Sequence, residues 1–159
     1  MFYYRSKNDP HTARPISVRA ARIFSAAALV SYPVGALLFG LSATLPAKIA
    51  GAALLVTALI CAASLASTSV QRIVGEQPQY LDEFELQLRL KAMQSAYGAF
   101  ALLALLICLY SAIASDAGLW YPRDYEGYNG LFWGIFLYAW VLPTALVAFR
   151  MDADEEEKA

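Results

Sequence analysis

The stretch AMQSAYGAFALLALLICLYSAIAS, residues 92–115, contains no charged side chain. An α-helix rises about 1.5 Å per residue, so roughly 20 apolar residues are enough to cross the hydrocarbon core of a bilayer. Residues 23–47, 49–71 and 127–149 are three further stretches of the same character. Together the four stretches predict an all-α fold, a bundle of membrane-crossing helices at about residues 23–45, 49–71, 92–115 and 128–149.

The composition agrees with a membrane-embedded chain. Of its 159 residues, 59% are hydrophobic and 16% are charged, whereas about a quarter of the residues in a soluble domain are charged. The formal net charge of −1 argues against a nucleic-acid partner, since nucleic-acid-binding proteins carry basic surfaces. The lipid bilayer is therefore the first expected partner of the chain.

Positive charge is distributed unevenly between the segments that flank the four stretches. Ten of the 12 Lys and Arg residues lie on one side of the predicted bundle: Arg5, Lys7, Arg14, Arg19, Arg22, Arg72, Arg89, Lys91, Arg150 and Lys158. The other side holds Lys48 and Arg123. Because cytoplasmic segments are enriched in Lys and Arg, both termini are expected in the cytoplasm. Residues 1–20 then form a basic cytoplasmic segment and residues 151–159 an acidic, disordered tail.

Small residues at four-residue spacing are candidates for helix packing, because helices in lipid associate through close contact rather than through the hydrophobic effect. The candidates are Ala27, Ser31 and Gly35 in the first helix, and Gly130 and Gly134 in the fourth. The short segment around Pro46 predicts that the first two helices form a tight antiparallel hairpin. Such small-residue faces serve either packing within one chain or a homo-oligomer.

Aromatic residues cluster before the fourth helix. Trp120, Tyr121 and Tyr125 fit an interfacial belt, where one edge of each ring is apolar and the other wet. The same residues are candidates for contact with a partner on the outer side of the membrane.

The groups that usually carry chemistry are absent from the predicted bundle. Transporters and proton pumps often place ionisable side chains in the bilayer, and none lies within the four stretches. The single histidine, His11, has no metal-ligand spacing around it, and Cys61 and Cys108 fit apolar packing positions. We therefore predict no catalytic residue, no cofactor and no metal.

Residues 77–97 show an unusual pattern. Polar and apolar residues alternate from 83 to 91, as in a strand, but Glu, Leu, Gln, Arg and Lys favour a helix. Asp82 and Glu85 have the spacing of a capping box. The segment is expected to be a cytoplasmic amphipathic stalk that continues into the third crossing, with Leu81, Phe84 and Leu88 on one face as candidate partner contacts.

The run Leu81-Asp82-Glu83-x-Glu85-x-x-x-Arg89-x-x-Ala92-x-x-x-Ala96-Tyr97 resembles a segment of small four-helix bacterial inner-membrane proteins that have no assigned function. In those proteins the segment directly precedes a membrane helix, and the position of Phe84 is more often arginine. The resemblance covers under a fifth of the chain. It implies a bacterial inner membrane and no particular activity.

These features favour a non-enzymatic membrane protein that acts by contact, as an accessory or assembly subunit of a larger complex. Two alternatives remain open at this point. One is an oligomeric passive channel or transporter for a small solute. The other is a membrane enzyme that uses outer carboxylates of the loops, namely Asp116, Asp124 and Glu126.

Overall fold

The computed structural model describes residues 13–66 and 68–151. This part of the chain contains five α-helices and no strand. The helices are α1 (Val18–Leu41), α2 (Leu45–Leu65), α3 (Ser69–Gly75), α4 (Glu83–Ala117) and α5 (Tyr125–Arg150), with a 3-10 turn at Pro78–Tyr80. Helices α1, α2, α4 and α5 are long and apolar enough to cross a membrane. The expected all-α architecture with four such helices is therefore confirmed.

The second crossing differs from its predicted range of 49–71. Helix α2 ends at Leu65, and residues 69–75 form the separate helix α3. Thr68 makes this boundary: its hydroxyl donates to the Leu65 carbonyl at 2.7 Å and accepts from the Gln71 amide at 3.3 Å. No charge marks the boundary in the sequence, so hydropathy alone extends α2 through it.

Helices α1 and α2 form the expected antiparallel hairpin. The connection consists of residues 42–44, and Pro46 lies in the first turn of α2, where its missing N–H would be unpaired in any case. Two glycines allow the helices to approach closely. A Cβ atom on Gly35 would lie 2.9 Å from the Gly51 carbonyl oxygen, and one on Gly51 would lie 2.7 Å from the Phe39 nitrogen. Backbone therefore packs directly on backbone, the arrangement that replaces hydrophobic association in lipid.

Helix α4 has 35 residues and starts with the capping box that the sequence predicts. Asp82 Oδ1 accepts from the Glu85 amide at 2.6 Å, and Glu85 Oε2 accepts from the Asp82 amide at 3.4 Å. The charged side chains of this segment pair with α3 and the turn that follows it. Arg72 forms an ion pair with Glu85, and Arg89 donates to the Glu76 carbonyl at 2.5 Å. The start of α4 thus lies against α3 and does not stand clear of the bundle as a free stalk.

Burial along the crossing helices shows which of them holds the bundle together. In the apolar 18-residue window, 39% of α5 is buried but only 6% of α4. Helix α5 contacts all four other helices, whereas α4 packs mainly on α5 and more weakly on α3. Most of the core is formed where α1, α2, α3 and α5 meet, and it includes Ala28, Ala58, Val74 and Val141; only the first turns of α4 add to it, through Leu88 and Ala92. The apolar crossing part of α4 therefore lies at the periphery of the bundle.

Two expectations concern residues outside the part of the chain that the structure describes. Residues 1–12, which include His11 and most of the basic N-terminal segment, lie outside it. The acidic tail is also outside it, except for Met151.

Candidate functional site

A tyrosine of α5 satisfies a carbonyl that a proline of α1 leaves unpaired. In a regular helix the amide of residue 33 would donate to the carbonyl of residue 29, but Pro33 has no N–H. The Tyr138 hydroxyl donates to the Leu29 carbonyl oxygen at 2.6 Å. An unpaired carbonyl away from water is costly. The bond from Tyr138 supplies the missing donor and links α1 to α5.

A second tyrosine connects the same helices in the opposite direction. The Tyr32 hydroxyl, on α1, donates to the Gly130 carbonyl of α5 at 2.7 Å. Gly134 leaves room for the tyrosine ring, since a Cβ atom there would lie 2.8 Å from Tyr32 Cε1. Gly134 therefore packs within this chain on α1, whereas Gly130 meets α1 through its carbonyl oxygen.

Next to these tyrosines, a cleft of about 580 Å³ separates α4 from α1 and α2. It extends from the α1–α2 and α4–α5 loops, here called the loop end of the bundle, down to Tyr32 and Tyr138. Most of its lining is apolar and comes from all four crossing helices: Leu37, Leu55, Leu103, Ile107, Leu131 and Ile135. This volume is within the range of about 300–1,000 Å³ that small-molecule sites occupy.

The mouth of the cleft is polar. Lys48, Trp120 and Asp124 line it at the loop end. Asp124 is the N-cap of α5, and its Oδ1 accepts from the Gly127 amide at 2.8 Å. The Trp120 backbone is fixed by the Tyr110 hydroxyl, which donates to the Trp120 carbonyl at 2.7 Å. The cleft therefore combines an apolar interior with one cation and one anion at its entrance.

Tyr121 lies beside the cleft with its own polar partners. The Ser115 hydroxyl donates to the Tyr121 hydroxyl at 3.4 Å, and the Arg123 guanidinium lies 4.5 Å from the ring centre. The Ser115 hydrogen bond, and secondarily the charge of Arg123, lower the pKa of Tyr121 from its ordinary value of 10.0. Tyr125 is 81% exposed and does not line the cleft. Of the three aromatic candidates, only Trp120 does so.

The candidate contacts at the start of α4 lie far from the cleft mouth, because a 35-residue helix is about 50 Å long. Phe84 is exposed and Leu81 is half-buried. Leu88 requires a correction, since it is only 6% exposed and belongs to the core of the chain itself. It is occupied by the chain's own fold and is not on the surface that a partner could reach.

The predicted packing face of α1 is also displaced. Gly35 is buried, but Ala27 and Ser31 are half-buried. The side of α1 that enters the core instead carries Ala21, Ser25, Ala28, Tyr32 and Gly35. Its spacing alternates between three and four residues, which follows the 3.6-residue period more closely than a strict spacing of four.

Several polar contacts at the other end of the bundle were not predicted. Arg22 donates to the Ala148 carbonyl at 2.8 Å and also to the Met151 carbonyl, at the C-terminal end of α5. Thr144 donates to the side-chain carbonyl of Gln71, and both residues are buried. The glutamine at position 71, inside a predicted membrane helix, was the available signal that this segment meets a polar partner.

The described residues contain no group of three His, Cys, Asp or Glu side chains that could hold a metal ion. With an apolar interior and with Lys48 and Asp124 at its mouth, the cleft can hold an amphiphilic molecule or a helix.

No protein-family model, curated protein or solved structure matches this chain.

Proposed function

We propose that this chain is a non-enzymatic multi-pass protein of the bacterial inner membrane, with both termini in the cytoplasm. It acts by contact, as an accessory or assembly subunit of a larger membrane complex. The excess of Lys and Arg on one side of the bundle supports the orientation. The resemblance of residues 81–97 to a segment of bacterial inner-membrane proteins supports the location in that membrane. The absence of ionisable groups from the apolar stretches supports a role without chemistry in the bundle.

The observation that carries the proposal is the position of α4. Its first turns are fixed by the Arg72–Glu85 ion pair and by the Arg89 hydrogen bond to Glu76. Its crossing part, in contrast, leaves Leu102, Leu105, Leu106, Leu109 and Ile113 more than half exposed. A helix that is anchored at one end and almost uncovered along its apolar length presents a regular face to another membrane helix.

The exposed aromatic residues beyond α4 extend this face. Tyr125 and Trp120 lie where the bilayer meets water in the proposed orientation, a layer in which their rings favour contact with both phases. A partner that packs along α4 would meet these rings next. We therefore assign the partner-binding surface to the crossing part of α4 together with Trp120 and Tyr125.

Site-specific photo-crosslinking in the native membrane tests the proposal. A photoreactive amino acid at Leu105 or Leu109 of α4 should capture one protein of constant mass. The matched control carries the same group at Leu59 or Ile60, which are comparably exposed on α2, and should capture no protein. Capture at neither helix, or equal capture at both, would contradict an α4-specific partner.

A further inference from the structure

The depth of the cleft matches one leaflet of a membrane. Along α1 its lining extends from Gly40 to Tyr32, and these eight residues correspond to a depth of about 12 Å. Half of the hydrocarbon core is about 15 Å thick. An occupant that reaches the floor of the cleft therefore extends from the interface to near the bilayer centre.

The walls of the cleft fit a hydrocarbon chain. Leu103 and Ile107 of α4 face it from one side, and Leu131 and Ile135 of α5 line it from another. The polar groups near its floor are already occupied, since Tyr32 and Tyr138 donate to helix carbonyls. An apolar occupant leaves these bonds intact.

The mouth of the cleft adds two opposite charges. Lys48 and Asp124 both line it, and they do not form an ion pair with each other within the described chain. Asp124 Oδ1 caps α5, and the second oxygen of a carboxylate can accept further hydrogen bonds. The ammonium of Lys48 suits a phosphate, and the carboxylate of Asp124 suits a primary ammonium.

We infer that the cleft binds one phospholipid with a zwitterionic, primary-amine headgroup, taken from the leaflet at the loop end. Lys48 contacts its phosphate, Asp124 contacts its amine, and the apolar walls hold the upper part of an acyl chain. The lipid fills the gap that separates α4 from α1 and α2. This inference is independent of whether α4 also binds a protein.

Native mass spectrometry of the full chain provides the test. The protein is reconstituted in nanodiscs with equal amounts of phosphatidylethanolamine and phosphatidylglycerol, and the lipids retained after transfer to detergent are counted. We expect one phosphatidylethanolamine per chain, retained in preference to phosphatidylglycerol, which is anionic and has no amine. Equal retention of the two lipids, or a stoichiometric polypeptide in place of a lipid, would overturn the inference.

Two glycines provide a variant that fills the cleft and a matched control that does not. A Cβ atom on Gly130 meets no atom within 4 Å, and Gly130 lines the cleft. Gly130→Leu should therefore fill the cleft and lower lipid retention at least about fivefold, since it replaces the apolar contacts of the acyl chain. Gly98 also has open space around it but lies on α4 outside the cleft, so Gly98→Leu should retain the lipid. Equal retention in the two variants counts against the cleft as the site.

Charge variants separate the headgroup contacts from the acyl-chain contacts. Asp124→Asn keeps an N-cap residue, because Asn caps helices about as well as Asp, and should abolish the preference for phosphatidylethanolamine. Lys48→Gln should lower retention of both lipids roughly threefold, as expected for a partly exposed ionic contact. A monodisperse chromatographic profile confirms that each variant is folded. An unchanged preference in Asp124→Asn would exclude the proposed amine contact.

Discussion

Pro33 and Tyr138 show how one residue can create a requirement that a residue of another helix meets. Pro33 removes the donor for the Leu29 carbonyl, and the Tyr138 hydroxyl supplies one at 2.6 Å. The Gly130 carbonyl, which accepts from Tyr32 at 2.7 Å, has Gly134 and not a proline four residues later. The Leu29 carbonyl therefore has no backbone donor within α1, whereas the Gly130 carbonyl can also accept from the Gly134 amide within α5.

This difference predicts unequal costs for two identical substitutions. Tyr138→Phe should lower the free energy of unfolding by about 1–3 kcal/mol, because it leaves the half-buried Leu29 carbonyl unpaired. Tyr32→Phe should cost less, about 0.5–1.5 kcal/mol. In a Pro33→Ala background the amide of residue 33 restores the regular bond, so the cost of Tyr138→Phe should fall toward zero. Unfolding titrations in mixed detergent micelles measure these three costs, and a Tyr138→Phe cost unaffected by Pro33→Ala would contradict this account.

Gly51 predicts a second residue-level effect. A Cβ atom there would lie 2.7 Å from the Phe39 nitrogen and 2.8 Å from the Gly35 carbonyl oxygen. Both neighbours are backbone, so Gly51→Ala should force α1 and α2 apart at a cost of about 1–3 kcal/mol. Gly40→Ala is the control on the same hairpin, because its added methyl group meets no atom within 4 Å. The same unfolding titration should show no loss of stability for that variant.

At the level of the helices, the sequence predicts which helices form better than it predicts the residues at which they end. The number of long apolar helices and the start of α4 follow from charge-free length and from the Asp82–Glu85 cap. The end of α2 does not, because residues 49–71 are uniformly uncharged and the break depends on the Thr68 hydroxyl contacts. The partners of the capping segment were also not predictable. Arg72 on α3 binds Glu85, a tertiary contact without a local sequence signal.

The α2–α3 boundary can be tested with matched threonines. Thr68 is fully buried, caps α3 and donates to the Leu65 carbonyl. Thr68→Ala should therefore cost about 1–2 kcal/mol and accelerate hydrogen exchange in residues 69–75. Thr57 is exposed and donates only to the Ala53 carbonyl of its own helix, so Thr57→Ala should change stability by less than about 0.5 kcal/mol. Similar exchange rates for α3 in both variants would count against Thr68 as its boundary.

At the level of the whole molecule, hydropathy and spacing predict the bundle but not the cleft. The residues at its mouth come from three separate parts of the chain: Lys48 in α2, Trp120 in a loop and Asp124 at the start of α5. Their proximity depends on how far α4 lies from α1 and α2, a tertiary distance without a local sequence signal. Trp120 could be selected as an interfacial aromatic residue, but its position over an apolar cavity could not.

The orientation of the molecule can be tested by cysteine labelling. In a background with Cys61→Ala and Cys108→Ala, Asp116→Cys should react with a membrane-impermeant maleimide in intact cells, because its side chain is exposed beside the loop end. Glu83→Cys, exposed at the opposite end of α4, should react only after permeabilisation. The reverse pattern would invert the proposed topology.

The bond between Tyr138 and Leu29 also sets a requirement during biosynthesis. Helix α1 is synthesised first among the described helices and α5 last, so the Leu29 carbonyl has no Tyr138 donor until residue 138 has been added. A nascent chain shorter than 138 residues lacks the hydroxyl that completes α1. Helix α5 thus completes α1, and a chain truncated before residue 138 would leave the Leu29 carbonyl without its donor.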